Sequence, residues 1–102
     1  MVEKATYGIT ALRYAGAQLV EAMMGLIDPE QTSWELGPAP TRLSEVVDRL
    51  VEGDTIISLF PDGSGWLAAG PEVKVDVLPE GTETLSLADE APGRCLRDLP
   101  RF

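Results

Sequence analysis

The apolar positions along this chain keep two different periods. Between positions 42 and 52 they fall at Leu43, Val46, Val47, Leu50 and Val51. This i, i+3, i+4, i+7, i+8 spacing draws one stripe on a 3.6-residue helix. Thr41 is placed to cap its start, Pro38 and Pro40 hold the preceding chain extended, and Gly53 sits where a left-handed residue would end it. Glu45, Asp48, Arg49 and Glu52 fall on the opposite, solvated face. Beyond Gly53 the period drops to two. Residues 55–60 carry Ile56, Ile57, Leu59 and Phe60, a β-branched and apolar run that reads as a strand. Pro61-Asp62-Gly63 has turn composition, and residues 66–69 form a second short strand stopped by Gly70-Pro71. Residues 72–78 alternate, with Val73, Val75 and Val77 on one face and Glu72, Lys74 and Asp76 on the other, as in a sheet with one wet side. Pro79-Glu80-Gly81 is another turn, and residues 82–87 are a further strand with Leu85 and Leu87 inward. From Ala88 the chain reads as irregular.

The first third supports two readings. Leu12, Ala15, Leu19, Ala22, Met23 and Leu26 fit one face of a long helix, but Gly8, Gly16 and Gly25 would each cost up to about 1 kcal/mol inside it. The other reading is a hairpin, with strands over 6–14 and 17–26 turning at Ala15-Gly16. Residues 28–40, with three prolines and scattered acids, read as a loop in either case. The expected fold is α+β, one helix over about 42–52 packed on a small, mainly antiparallel sheet of four to six strands. Two helices with a four-stranded sheet is the alternative if residues 9–27 are helical.

At 102 residues there is room for one domain and one core. Hydrophobic residues make up 44 % of the chain, too many for a disordered one. Charge changes the picture more. Seventeen acids oppose eight bases and there is no histidine, for a formal net charge of -9. From position 15 to 93, three bases (Arg42, Arg49, Lys74) stand against fifteen acids, a local charge of -12. Such a body cannot neutralise phosphates, so direct nucleic-acid binding is excluded, and an anionic membrane would repel it. The charge reads either as a means of solubility or as an acidic face that meets a basic protein; as to oligomeric state, a monomer or a homodimer is expected. The closing residues 94–102 reverse the sign with three arginines and one aspartate. Leu96, Leu99 and Phe102 in that segment are expected to dock it on the domain. A lone cysteine, Cys95, excludes an internal disulfide. No signal-like apolar stretch follows Met1, and the most apolar run, 19–27, is far short of the roughly twenty residues of a membrane span. The expected location is cytoplasmic.

The succession Ile9-Thr10-Ala11-Leu12-Arg13, Trp34, the helix Glu45-Val46-Val47 with Gly53-Asp54 behind it, Trp66, Gly70, the valine strand and the ending Leu96-Arg97-Asp98-Leu99-Pro100-Arg101-Phe102 resembles a small family. That family is a bacterial and phage domain of unknown function, numbered 3892 in family catalogues. The resemblance spans nearly the whole chain in short, dispersed motifs, of which the terminal Leu-x-x-Leu-Pro-x-Phe is the most specific. Arg94-Cys95 stands where family members tend to carry Asp-Asn. The resemblance implies a hairpin for residues 6–26. It implies no activity, since the family has none assigned.

Catalytic chemistry finds few footholds. Without histidine, the Ser-His, Cys-His and zinc-histidine constellations are absent. Cys95 stands alone beside Arg94, and Gly63-Ser64-Gly65 lacks the spacing of a nucleophile elbow or the lysine of a P-loop. Asp28, Glu30 and Glu35, and separately Asp89-Glu90, are close in sequence, yet calcium-loop spacing is missing and chance neighbours are certain in so acidic a chain. No cofactor and no metal is expected. Trp34 and Trp66 suit core packing, with Trp66 the better candidate for exposure. The expected function is a non-enzymatic protein-interaction or regulatory module for a basic partner. Its candidate surface is Asp28, Glu30, Glu35, Asp48, Glu52 and Trp66. A small-molecule or peptide-binding domain is the alternative, and a carboxylate-dependent enzyme a more distant one.

Overall fold

Residues 5–28, 33–61, 67–89 and 95–102 are described in the structure, a computed structural model. Its first two strands, β1 (Thr6–Ala15) and β2 (Gln18–Asp28), form an antiparallel hairpin that turns at Gly16. The chain's first third is therefore β rather than helical. Two bulges explain why the helix pattern was there at all. The register slips between Ile9 and Ala11 and between Arg13 and Tyr14, so inward positions fall at Ile9 and Leu12 on β1, and at Leu19, Ala22 and Met24 on β2. Each bulge converts a two-residue step into a three-residue one, which mimics helical spacing.

β3 (Ser33–Arg42) pairs antiparallel with β2 where the sequence reading placed a loop. Its prolines misled that reading. β3 is the edge of the sheet, and an edge strand tolerates residues that cannot donate a ladder hydrogen bond. Pro40 stands opposite Met23 and Trp34 opposite Ile27.

The only α-helix among the described residues, α1 (Leu43–Val51), follows directly. Thr41 is not its cap: Arg42 holds that position without a side-chain hydrogen bond, and the Thr41 hydroxyl donates instead to the Ala39 carbonyl at 3.1 Å. The far end closes with two paired bonds, Gly53 N–H to the Leu50 carbonyl at 3.1 Å and Asp54 N–H to the Arg49 carbonyl at 3.0 Å. This is a Schellman closure, and it works because Gly53 takes φ = 99°. Val46 and Val47 are buried, Leu43 and Leu50 pack on the core from its margin, and Val51 is left 74 % exposed beyond the stripe.

The helix carries the chain past β2 and β1 to deliver β4 (Thr55–Pro61) on the other side of β1, parallel to it. The sheet order is β3-β2-β1-β4-β5-β6. An expectation of a mainly antiparallel sheet built from sequential hairpins misses this central parallel pair, which a helical crossover makes possible. The two short strands expected around Gly70-Pro71 are one strand, β5 (Leu67–Val77). Its register on β4 jumps between Ile57↔Glu72 and Leu59↔Ala69, so Gly70-Pro71 is accommodated as a bulge. The buried Ser58 hydroxyl donates to the Pro71 carbonyl there at 2.7 Å. β6 (Glu83–Leu87) completes the sheet through a turn at Gly81, with Leu85 and Leu87 inward.

The closing segment is not a passive extension. A 3-10 turn at Leu96–Asp98 buries Leu96 and Leu99, both of which join the core cluster with Ile9, Leu12, Val46 and Phe60. β4 pairs with β1 only from Thr6 to Ile9. The next stretch of β1 edge is taken by residues 100–102: Leu12 N–H donates to the Pro100 carbonyl at 2.8 Å, and Phe102 N–H to the Leu12 carbonyl at 3.1 Å. Arg101 stacks over the Tyr14 ring at 4.3 Å, and Arg13 over the Phe102 ring at 4.9 Å.

Candidate interaction surface

Helix, closing segment and inward side chains all lie on one face of the sheet. The other face divides into two halves. On β5 and β6 it is polar, with Glu72, Lys74 and Asp76 exposed. On β1, β2, β3 and β4 it is apolar around a pair of facing glycines, with the Arg13–Glu21 ion pair further along β1 and β2. Gly8 of β1 stands opposite Gly25 of β2. With no side chains there, the Trp34 indole of β3 lies across both. A methyl placed on Gly25 would meet Trp34 Cζ3 at 2.7 Å and the Leu36 carbonyl oxygen at 2.6 Å. One placed on Gly8 would meet Leu59 Cδ1 at 2.6 Å, Ile27 Cδ1 at 2.8 Å and Trp34 Cη2 at 3.2 Å. Trp34, Ile27 and Leu59 thus close over the glycine pair, and Ile57 stands beside Gly8 in the parallel register. Leu59 is buried, while Trp34, Ile27 and Ile57 keep part of their surface in solvent.

The sequence-derived surface residues do not form a single patch. Asp28 ends β2 opposite Ser33, and Glu35 is exposed on β3 at the register shift between Trp34 and Leu36. Asp48 and Glu52 belong to α1 in the other layer. Asp48 is exposed, and Glu52 accepts a hydrogen bond from Arg49 at 3.2 Å in an ion pair one helical turn long. Glu30 and Trp66 lie outside the described residues, as do Gly63-Ser64-Gly65, Glu90 and Arg94. Asp89 is exposed just before that last stretch. The tryptophan that organises a surface is therefore Trp34. Its signal in the sequence was the glycine at position 25 in an otherwise apolar strand, which marks a close approach by another group.

Other chemistry is sparse. Cys95 heads the 3-10 turn; its N–H donates to the Asp98 carboxylate at 2.9 Å, and its sulfur accepts from the Asp98 N–H. No group of three or more histidine, cysteine or acidic side chains able to hold a metal occurs among the described residues. Two open depressions flank the start of α1. One is lined by Pro40, Thr41, Arg42, Ser44, Glu45 and Asp48, the other by residues of β2 with Arg42, Leu43 and Ser44; no described residue of either is a tryptophan. No helix of the described residues is long and apolar enough to cross a membrane.

Comparison with family models, with curated proteins and with solved structures found no match for this chain.

Proposed function

We propose that this chain is a non-enzymatic interaction module that binds a basic protein. The observation that carries the reading is the distribution of charge over the folded surface. Glu35, Glu45, Asp48, Glu72, Asp76 and Glu83 are exposed, and the exposed bases beside them are Arg42 and Lys74. Arg13 is paired with Glu21 at 3.4 Å, Arg49 with Glu52, and Arg101 stacks on Tyr14. The outward field is accordingly negative, which raises encounter rates with a positive partner and suppresses wrong ones. A cytoplasmic location and kinship with the bacterial and phage domain described above belong to the same proposal.

The test is capture from the native host followed by association kinetics. At low salt, tagged protein recovers a basic protein. Raising ionic strength until the Debye length falls to about 3 Å slows association at least about tenfold. Replacing Glu45 and Asp48 together by lysine slows it further, with the fold intact. Recovery of no basic protein at low salt, with ample bait, overturns the reading.

A further inference from the structure

β3 is one edge of the sheet, and among the described residues no strand pairs with its outer side. An open strand edge is a template on which the same strand of a second copy can add. This one is ten residues long and carries Leu36 with 65 % of its surface exposed. The opposite edge, β6, has only five residues and offers a correspondingly short template.

The direction of the backbone groups in β3 follows from bonds made two strands away. Leu12 donates to the Pro100 carbonyl and accepts from the Phe102 N–H, so both of its backbone groups point away from β2. Ala22, opposite Leu12, therefore turns its own N–H and carbonyl toward β3, where it meets Thr41. Met23 turns back to β1, and Pro40, opposite Met23, faces outward. The Pro40 nitrogen thus stands where an added strand would take a hydrogen bond, and it carries no hydrogen to give. Its ring leaves the ladder to β2 undisturbed, because that ladder never used the position. Just beyond, the register slips between Met24 and Leu26, so that Gly37 and Pro38 share the place opposite Gly25. A bulge of this kind bends an edge away from a regular partner.

We propose that Pro40, together with the Gly37-Pro38 bulge, keeps β3 from adding to β3 of a second copy, so that this chain stands as a monomer with an unpaired sheet edge. Charge alone does not supply that barrier. Repulsion between two bodies of charge -9 is screened by salt, whereas a missing N–H is not. The barrier acts whatever partner the acidic surface meets.

The experiment compares the full chain with its Pro40→Val variant by sedimentation equilibrium, at an ionic strength that brings the Debye length to about 3 Å. The unaltered chain stays monomeric. Pro40→Val, at an exposed position, restores a donor to the edge of each copy, and self-association tightens at least about tenfold. Hydrogen exchange at position 40 of the variant is slow at high protein concentration and fast on dilution. Pro40→Ala restores the same donor with a weaker strand former, so it moves in the same direction by less, and it serves as the test should valine disturb the melting curve. A folded variant as monomeric as the parent overturns the proposal. So does a parent chain that dimerises with β3 amides protected. Association of the variant with position 40 still exchanging freely would place the contact elsewhere and overturn the role given to Pro40.

Discussion

On one face of the sheet, Ile9, Leu12, Ala22 and Phe60 are covered by elements drawn from distant parts of the chain: α1 from its middle, Leu96 and Leu99 from its end. On the other face, the glycine pair at the same strands is covered by the Trp34 indole of the edge strand together with Ile27 and Leu59. The first arrangement makes the fold cooperative, because Leu12 is held from both sides: its side chain packs in the core while its N–H and carbonyl bind residues 100–102. Loss of any covering element there opens the whole interior. The second arrangement is local, since Trp34, Ile27 and Leu59 can shift without disturbing the helix. A face of that kind can exchange solvent for a partner at little cost to the fold, and the helix-covered face cannot.

The helix-covered face should break first and hardest. Val47→Asp places an unpaired charge beneath α1, and such a burial exceeds the roughly 5–15 kcal/mol reserve of a small domain or comes close to it. The variant should be unfolded by circular dichroism at room temperature. A soluble Val47→Asp protein with an unchanged melting curve would show that α1 does not cover the sheet. Leu99→Ala tests the other cover. Leu99 is 2 % exposed, and its truncation should cost about 2–5 kcal/mol in denaturant titration. A loss under about 0.5 kcal/mol, the scale of a surface change, would mean that the closing segment is dispensable to the core.

The open face should respond on a smaller scale, and unequally at its two glycines. Every contact that a methyl on Gly8 would make is with the end of a side chain, Leu59, Ile27 or Trp34, each of which can give way. A methyl on Gly25 would also meet the Leu36 carbonyl oxygen at 2.6 Å, and backbone cannot step aside without moving β3. Gly25→Ala should therefore cost about 1–3 kcal/mol, the range for overpacking, and Gly8→Ala less. Thermal melts of the two variants decide it; the reverse order would mean that the strands do not meet as closely as described.

These asymmetries also explain what could be read in the sequence beforehand. The helix and the β6 end of the chain were legible because Val46, Val47, Leu50, Leu85 and Leu87 each keep an uninterrupted period within a single element. The hairpin was ambiguous because bulges at Thr10 and Val20 break the period of two in the strands that form the centre of the sheet. β3 was invisible for a related reason: proline and glycine argue against a strand, but that argument applies to a strand with neighbours on both sides. The parallel pairing of β1 with β4 has no local signal, since it depends on where the helix delivers the chain. Of the acidic residues read as one surface, Asp28 and Glu35 belong to the paired strands β2 and β3, and Asp48 and Glu52 remain apart on α1. Trp34 suits core packing by its size, and only the glycines beneath it reveal a second face.

The smallest effect separates charge kept for binding from charge kept for stability. Asp48 lies on the outer face of α1, between Glu45 three residues before it and Glu52 four residues after it. Three carboxylates along one helix face repel one another. Asp48→Lys replaces that repulsion with two attractive pairs, Glu45 to position 48 and position 48 to Glu52, each worth about 0.2–0.5 kcal/mol on an exposed helix. The substitution should therefore leave stability unchanged or raise it by up to about 1 kcal/mol, and the gain should fade as salt screens the pairs. A loss of more than about 0.5 kcal/mol would assign Asp48 a part in holding the fold and take it out of the surface presented to a partner. A gain would mean that the chain carries a negative face at some expense of its own stability. Solubility can be maintained by charge of either sign placed anywhere on the surface, so a destabilising clustered negative face points to recognition of a positive one.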